Sequence, residues 1–263
     1  MKTLLTLLSV FVLSALMVAQ THIATGTVIP VELNSTINAK NCKAGQIVKA
    51  RVAQDVQLEN GNRIKAGTRV MGEILAVTPT DGSHPAMVAL RFNKIEISGR
   101  STLIVSNLRA LASPLEVDAA QTQVSGDDRG STPPWSQTLT LIGGDVAYRE
   151  EGHVDSGEHT VGEAVYAGNW GVLSRVSTNP DDAKCRGAVQ GNDTPQALWV
   201  FSHDACGVYG SDVIISHAGR TNPEGKIVLT STSGDLKIRS GSAMLLRVDG
   251  IDDTLSRNEV VSK

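Results

Sequence analysis

Residues Thr27–Gly72 read TVIPVELNSTINAKNCKAGQIVKARVAQDVQLENGNRIKAGTRVMG. Val28–Leu33 is apolar and extended around Pro30, Gln46–Val56 alternates apolar with polar, and Arg69–Leu75 alternates again. An apolar residue at every second position is the period of a strand that buries one face. Asn60-Gly61-Asn62 and Lys65-Ala66-Gly67 between these runs supply residues that tolerate positive φ and reverse the chain. Three short strands joined by tight turns follow from this one stretch.

The same grammar continues downstream. Met87–Ile97 alternates with Val88, Leu90, Phe92, Ile95 and Ile97 on one face, and the phase changes near Asn93, the mark of a bulge or a turn. Ser98-Gly99-Arg100 is a hairpin signal, and Ser101–Leu108 returns as its partner. The pattern lapses over Leu111–Pro134, which is polar and rich in Pro and Gly near Asp127–Pro134. Gln137–Tyr148 holds one short apolar strand broken at Gly143-Gly144, and Arg149–Gly162 reads as a polar loop. Strands resume over Ala164–Ser177, Gln196–Phe201, Val213–Ser216, Lys226–Ser231, Asp235–Ile238 and Ala243–Val248. Beyond the N-terminal run described below, no segment carries a 3.6-residue apolar period.

The expected fold is therefore all-β, an antiparallel barrel or sandwich of short strands with a long irregular insertion. Residues 21–110 form its first half, 111–162 an acidic linker or insertion, 163–250 its second half, and 251–263 a disordered tail. Ile29, Val31, Leu33, Val48, Val52, Val56, Val70, Ile74, Val88, Leu90, Phe92 and Leu245 are the expected core, and pairing of the first strand with the last would protect the sheet edges.

Composition agrees. Among 263 residues, 25 are glycine and only 3% are aromatic, which suits many turns around a Val/Ile/Leu interior. So few aromatics argue against a sugar-stacking platform or a nucleic-acid partner. Charge is unevenly spread. Thr21–Ala110 carries 11 Lys/Arg against 6 Asp/Glu, and Leu111–Thr160 carries 2 against 9, although the whole chain is only −3. Blocks of this kind are usually solvated faces and loops rather than determinants of the fold.

Residues 1–20, MKTLLTLLSVFVLSALMVAQ, have a basic start at Lys2, an uncharged apolar run, and small residues Ala15 and Ala19 before a polar exit. This is the form of a cleaved secretory signal peptide. It implies an exported chain (periplasm, outer envelope or extracellular space) with no integral membrane span after cleavage. In such a compartment Cys185 and Cys206 could close a loop of about twenty residues, a disulfide contributing roughly 3 kcal/mol. Cys42 is then left over, as a buried thiol or an intermolecular bridge.

Candidate chemistry is sparse. His153, Asp155 and His159 could be drawn as a metal cluster, but Gly152 and Gly157 place them in a loop without the helix that H-x-x-x-H spacing needs. His203-Asp204 beside Cys206, with His217 beyond, invites a Cys/His nucleophile, which a disulfide would preclude. Asp55 and Glu73 would serve as a glycosidase pair only if set across a cleft, and Asp55 reads more simply as a strand residue bonded at a turn. Trp135, Trp170 and Trp199 are scattered and read as packing. No catalytic residue, cofactor or metal is expected.

The run IPVEL…INAK…AGQIVKARVAQDV…NGNRIKAGTRVMGEI resembles the β-barrel domain of the VirB10/TrbI family of envelope-spanning secretion and conjugation components. The resemblance is carried by Ile29-Pro30, Gly45, Asp55-Val56, and Ile64-Lys65-Ala66-Gly67-Thr68 through Gly72, with Ile238–Val248 similar to the closing strand. It covers about a third of the chain. The family's cytoplasmic segment, membrane helix and proline-rich arm have no counterpart, and the chain is more similar to exported acidobacterial proteins that carry the same strand pattern. The resemblance implies a non-enzymatic envelope module, able to oligomerise, that binds an envelope protein or polymer. The alternative is a secreted hydrolase with a site in residues 149–217 built from His153, His159, His203 or His217.

Overall fold

The computed structural model describes residues 23–58, 61–121, 146–150, 153–156, 159–163, 171–173, 197–202, 205–216 and 225–250. The signal-like run and the tail 251–263 lie outside them. The strands before the helix are β1 (Val28–Leu33), β2 (Ile37–Asn38), β3 (Ile47–Val52), β4 (Val56–Gln57), β5 (Arg63–Ile64), β6 (Arg69–Thr78), β7 (Met87–Ile97), β8 (Arg100–Leu103) and β9 (Val105–Ala112). The helix α1 (Pro114–Gln121) follows, and then β10 (Val146–Glu150), β11 (His153–Ser156), β12 (His159–Glu163) and β13 (Gly171–Leu173). The last strands are β14 (Gly207–Tyr209), β15 (Val213–Ser216), β16 (Ile227–Ser231), β17 (Lys237–Ile238) and β18 (Ala243–Gly250).

The protein is all-β. One 10-stranded sheet dominates, in the order β14-β9-β18-β1-β3-β6-β7-β16-β15, with β8 attached to β7. A separate 4-stranded sheet runs β12-β11-β10-β13. The large sheet is mixed rather than purely antiparallel, because β14 lies parallel to β9. It is not closed into a barrel; its curl is sandwich-like. The step through Ile104 shows how the sheet folds over. β8 pairs with β7, whereas β9 pairs with β18 on the far side of the sheet. Ser106 Oγ still donates to Phe92 O at 2.8 Å, tying the start of β9 to β7.

The phase change near Asn93 is a bulge. Met71 pairs with Lys94 and Gly72 with Phe92, so Asn93 has no opposite residue. A bulge bends its strand and strengthens the twist. Here it brings β7 so close to β6 that a Cβ on Gly72 would lie 2.0 Å from Arg91 O. The Ser98-Gly99 turn, with φ of 51° and 75°, closes the predicted hairpin through the Ile97–Arg100 pair.

β1 and β18 do pair, as expected of first and last strands, but they do so in the middle of the sheet. Pro30 is tolerated there for a local reason. Its carbonyl accepts from Ala53 N–H, so its missing N–H faces the β3 side, one residue past the end of β3 at Val52.

All twelve expected core residues are buried. Eleven line the inner face of the curled sheet, while Leu245 faces the other way. That outer face of β9, β18 and β1 has its own apolar layer. Val28, Ala110, Ala112, Ala243 and Leu245 pack under Val117 and Ala120 of α1, Leu173 of β13 and the 198–201 segment. A second bulge makes this possible. Leu245 pairs with Ala110 but Leu246 with Leu108, so Arg109 is skipped. Leu108 therefore points inward and Ala110 outward, although two residues apart on a regular strand would share a face.

Three local expectations are corrected. A helix occupies 114–121, within the stretch read as irregular, and β9 runs across the 110/111 division to Ala112. The described residues between 149 and 162 lie in strands β10–β12 rather than a loop. The strand expected over Gln196–Phe201 is a turn in its described part, 197–201. Leu198 and Phe201 bond each other reciprocally around Trp199-Val200, making a tight two-residue turn.

Candidate binding cleft

Where the covered and open parts of the sheet's outer face meet, a cleft of about 410 Å³ opens. Its floor is Val52 and Ala53 at the end of β3, with Ala66-Gly67 of the β5–β6 turn. Glu32 and Arg51 stand on one side; Val117, Gln121, Trp199 and Gly241 form the other. Val117 and Gln121 are four apart on α1 and so share one helix face.

Trp199 is the wall that needs explaining. It sits at φ +57°, a left-handed conformation uncommon for any residue with a side chain and an outlier for a bulky one. The side chain of Gln54 holds it there. Gln54 Nε2 donates to Ala197 O at 3.1 Å and Trp199 N–H donates to Gln54 Oε1, so one buried amide satisfies both polar groups of the turn. Gln54 follows Val48, Ala50 and Val52 at two-residue spacing and is itself 4% exposed. It is thus a polar residue spent on fixing a distant loop. Across the cleft, Arg51 Nη2 and Nε both donate to Glu32 Oε2, at 3.0 and 3.3 Å.

Behind the cleft lies an isolated carboxyl group. Ser113-Pro114-Leu115-Glu116 spells a capping box, in which the glutamate would return a bond to the Ser113 N–H. Ser113 N–H instead donates to Tyr209 O at 3.0 Å. Glu116 is fully buried and, among the described residues, neither carboxyl oxygen has a hydrogen-bond partner. It packs on Gly210, where φ is +62° and a Cβ would come within 2.5 Å of Glu116 Cγ. Burial without compensation pushes its pKa up to about 7. Glu116 and Val117 are neighbours on α1; the Glu116 side chain lies against Gly210, while Val117 packs on the sheet and also lines the cleft.

The sequence-derived candidates are dispersed. His153 opens β11 opposite Glu163, and His159 opens β12 opposite Ser156. Their backbones stand at opposite ends of the hairpin, about 10 Å apart along the strand direction. His203, Asp204, His217, Cys185, Trp135 and Trp170 lie outside the described residues. Cys206 is disulfide-bonded and fully buried. Cys42 is a buried free thiol whose pKa is raised by burial. Asp55 does bond at a turn. Its Oδ1 accepts from Ala66 N–H at 2.8 Å and its Oδ2 lies 3.3 Å from Arg63, whereas Glu73 pairs with Arg91. Among the described residues no three His, Cys, Asp or Glu gather as a metal site, and no helix is long and apolar enough to cross a membrane.

Of the cleft's key groups, Gln54 left a sequence signal, a polar residue in phase with a buried apolar face. Arg51, Trp199 and Glu116 left none specific to this site. No protein-family model matches the chain, and no curated protein is similar to it in sequence.

Proposed function

We propose that this chain is an exported, non-enzymatic β module of the cell envelope, similar in its strand pattern to the VirB10/TrbI domain, that binds a protein or envelope polymer in the Trp199 cleft. The construction of the cleft wall carries this proposal. A tryptophan is held in a strained turn by a glutamine just past the end of β3, some 145 positions away. Strain of this kind persists only where the surroundings over-determine it, and it clusters at binding sites. The charged groups of the cleft, Glu32 and Arg51, are bonded to each other, an arrangement suited to orienting a ligand rather than to exchanging protons.

The test uses the mature chain from Thr21 onward, sedimented with purified insoluble envelope material. Wild type should pellet with it, and Gln121→Trp, which fills the cleft, should stay in the supernatant. The same preparations should give no turnover on ester, glycoside and peptide substrates. Turnover abolished by His153→Ala, His159→Ala, His203→Ala or His217→Ala would sink the binding module in favour of the hydrolase. Light scattering on the eluted protein reads the oligomeric state that the resemblance implies.

A further inference from the structure

Among the described residues no layer covers the outer face of β3, β6 and β7, and strand register arranges its side chains in three rows. The first row runs Glu32 (on β1), Arg51, Arg69, Glu96, and the second runs Lys49, Met71, Lys94. The third runs Ile47, Glu73, Arg91. Every carboxylate in these rows is paired, Glu32 with Arg51 at 3.0 Å, Glu96 with Arg69 at 3.5 Å and Glu73 with Arg91 at 2.5 Å. The middle row has no carboxylate, and neither Lys49 nor Lys94 has one within ion-pair distance among the described residues.

Arg51 and Arg69 stand directly opposite each other on neighbouring strands. Like charges in that position destabilise a sheet. With Lys49 and Lys94 beside them, four cations occupy two adjacent rows, and the two glutamates at the row ends offset only part of their charge. The four are spread over β3, β6 and β7, so a small anion could reach only one or two of them. A linear anion can follow the rows, since the lysines are about 10 Å apart across two strand spacings. The guanidinium chemistry favours phosphate. Arg51 uses Nε and Nη2 on Glu32 and Arg69 uses Nη1 on Glu96, which leaves Arg51 Nη1 as a single donor and the Nε–Nη2 edge of Arg69 as a planar fork that suits phosphate oxygens.

We infer that this face docks a linear, phosphate-bearing polyanion. The inference goes beyond the cleft and uses a different surface, meeting it at the Glu32–Arg51 pair. The excess of 11 basic over 6 acidic residues in Thr21–Ala110 would steer such a polymer to this half of the molecule.

Fluorescence anisotropy of end-labelled inorganic polyphosphate, titrated with the mature full chain across a salt series, tests it. Wild type should bind, with affinity falling as salt rises. Lys49→Glu with Lys94→Glu should weaken binding by about tenfold or more and flatten the log–log salt slope by about two, one for each phosphate contact removed. Lys49→Gln with Lys94→Gln, which adds no new charge, should flatten the slope equally and guards against misfolding of the reversed pair. Gln121→Trp should bind polyphosphate as wild type does. Absence of binding at low salt, or unchanged binding by both lysine pairs, would overturn the inference. Polygalacturonate bound as tightly as polyphosphate would overturn the choice of phosphate. Loss of binding in Gln121→Trp alone would move the polymer into the cleft, overturning this inference while leaving the binding module standing.

Discussion

The two halves of the large sheet's outer face are built from the same kind of strand and meet opposite fates. On β3 burial alternates strictly, with Val48, Ala50 and Val52 inside and Ile47, Lys49 and Arg51 in solvent. On β18 and β9 the alternation disappears, because Ala243, Leu245, Ala110 and Ala112 are buried under the second layer as firmly as Met244, Leu246 and Leu111 are buried in the first. The difference lies in what is laid over the strand, and the side chains record it: small and aliphatic where covered, charged where bare. A two-faced strand cannot be recognised by period two, so the covered half is where sequence pattern alone says least.

The strongest way to break this contrast is a pair of outward-facing truncations. Leu245→Ala should cost about 2–5 kcal/mol in urea unfolding, as for a core leucine, while Met71→Ala, outward on the bare half, should stay under about 1 kcal/mol. Equal costs would mean that the second layer is not a true core. Next in size is Gln54→Ala, which strands the Ala197 carbonyl and the Trp199 N–H. It should cost about 2–4 kcal/mol, and a quench-accessibility assay should show Trp199 more exposed than in wild type. A Trp199 signal unmoved by the substitution would show that the turn holds itself.

Smallest, and dependent on conditions, is the effect of Glu116. The folded protein keeps this carboxyl protonated up to about pH 7, whereas the unfolded chain releases the proton near its ordinary value of 4.5. Between those values the folded state binds the extra proton, so stability falls as pH rises from about 4.5 to about 7 and is then level. The loss should be about 2–3 kcal/mol. Glu116→Gln should abolish that slope in melting curves taken from pH 4.5 to 8. A wild-type slope retained in the variant would assign the pH dependence to another group.

Much of the sheet from β1 to β8 was legible in the residues. Val28–Leu33 and Met87–Ile97 are strands with the expected ends, the phase change at Asn93 is a bulge, and Ser98-Gly99 is the turn. These depend on contacts close in sequence, where period and turn chemistry operate. The second layer depends on contacts that sequence does not advertise. The turn at Trp199-Val200 contains no glycine, proline or asparagine, since a distant glutamine supplies what those residues normally would. The helix is only eight residues long and nearly without an apolar stripe, so only its Ser113-Pro114 start announces it. Gln54 was visible as a polar residue in an apolar phase, and its partner was not.

The central pairing of β1 with β18 has a consequence for how the molecule is made. Thr25 Oγ1 bonds Asp249 O across 224 positions of chain, and β1 offers one of its two edges to a strand that leaves the ribosome last among those described. Until β18 arrives, β1 and β9 are separate edges and Val28, Ala110 and Ala112 have lost part of the surface that buries them. Contacts this far apart carry a large loop-closure cost and slow the final assembly. The large sheet is therefore continuous only once the last strand lies between the first and the ninth.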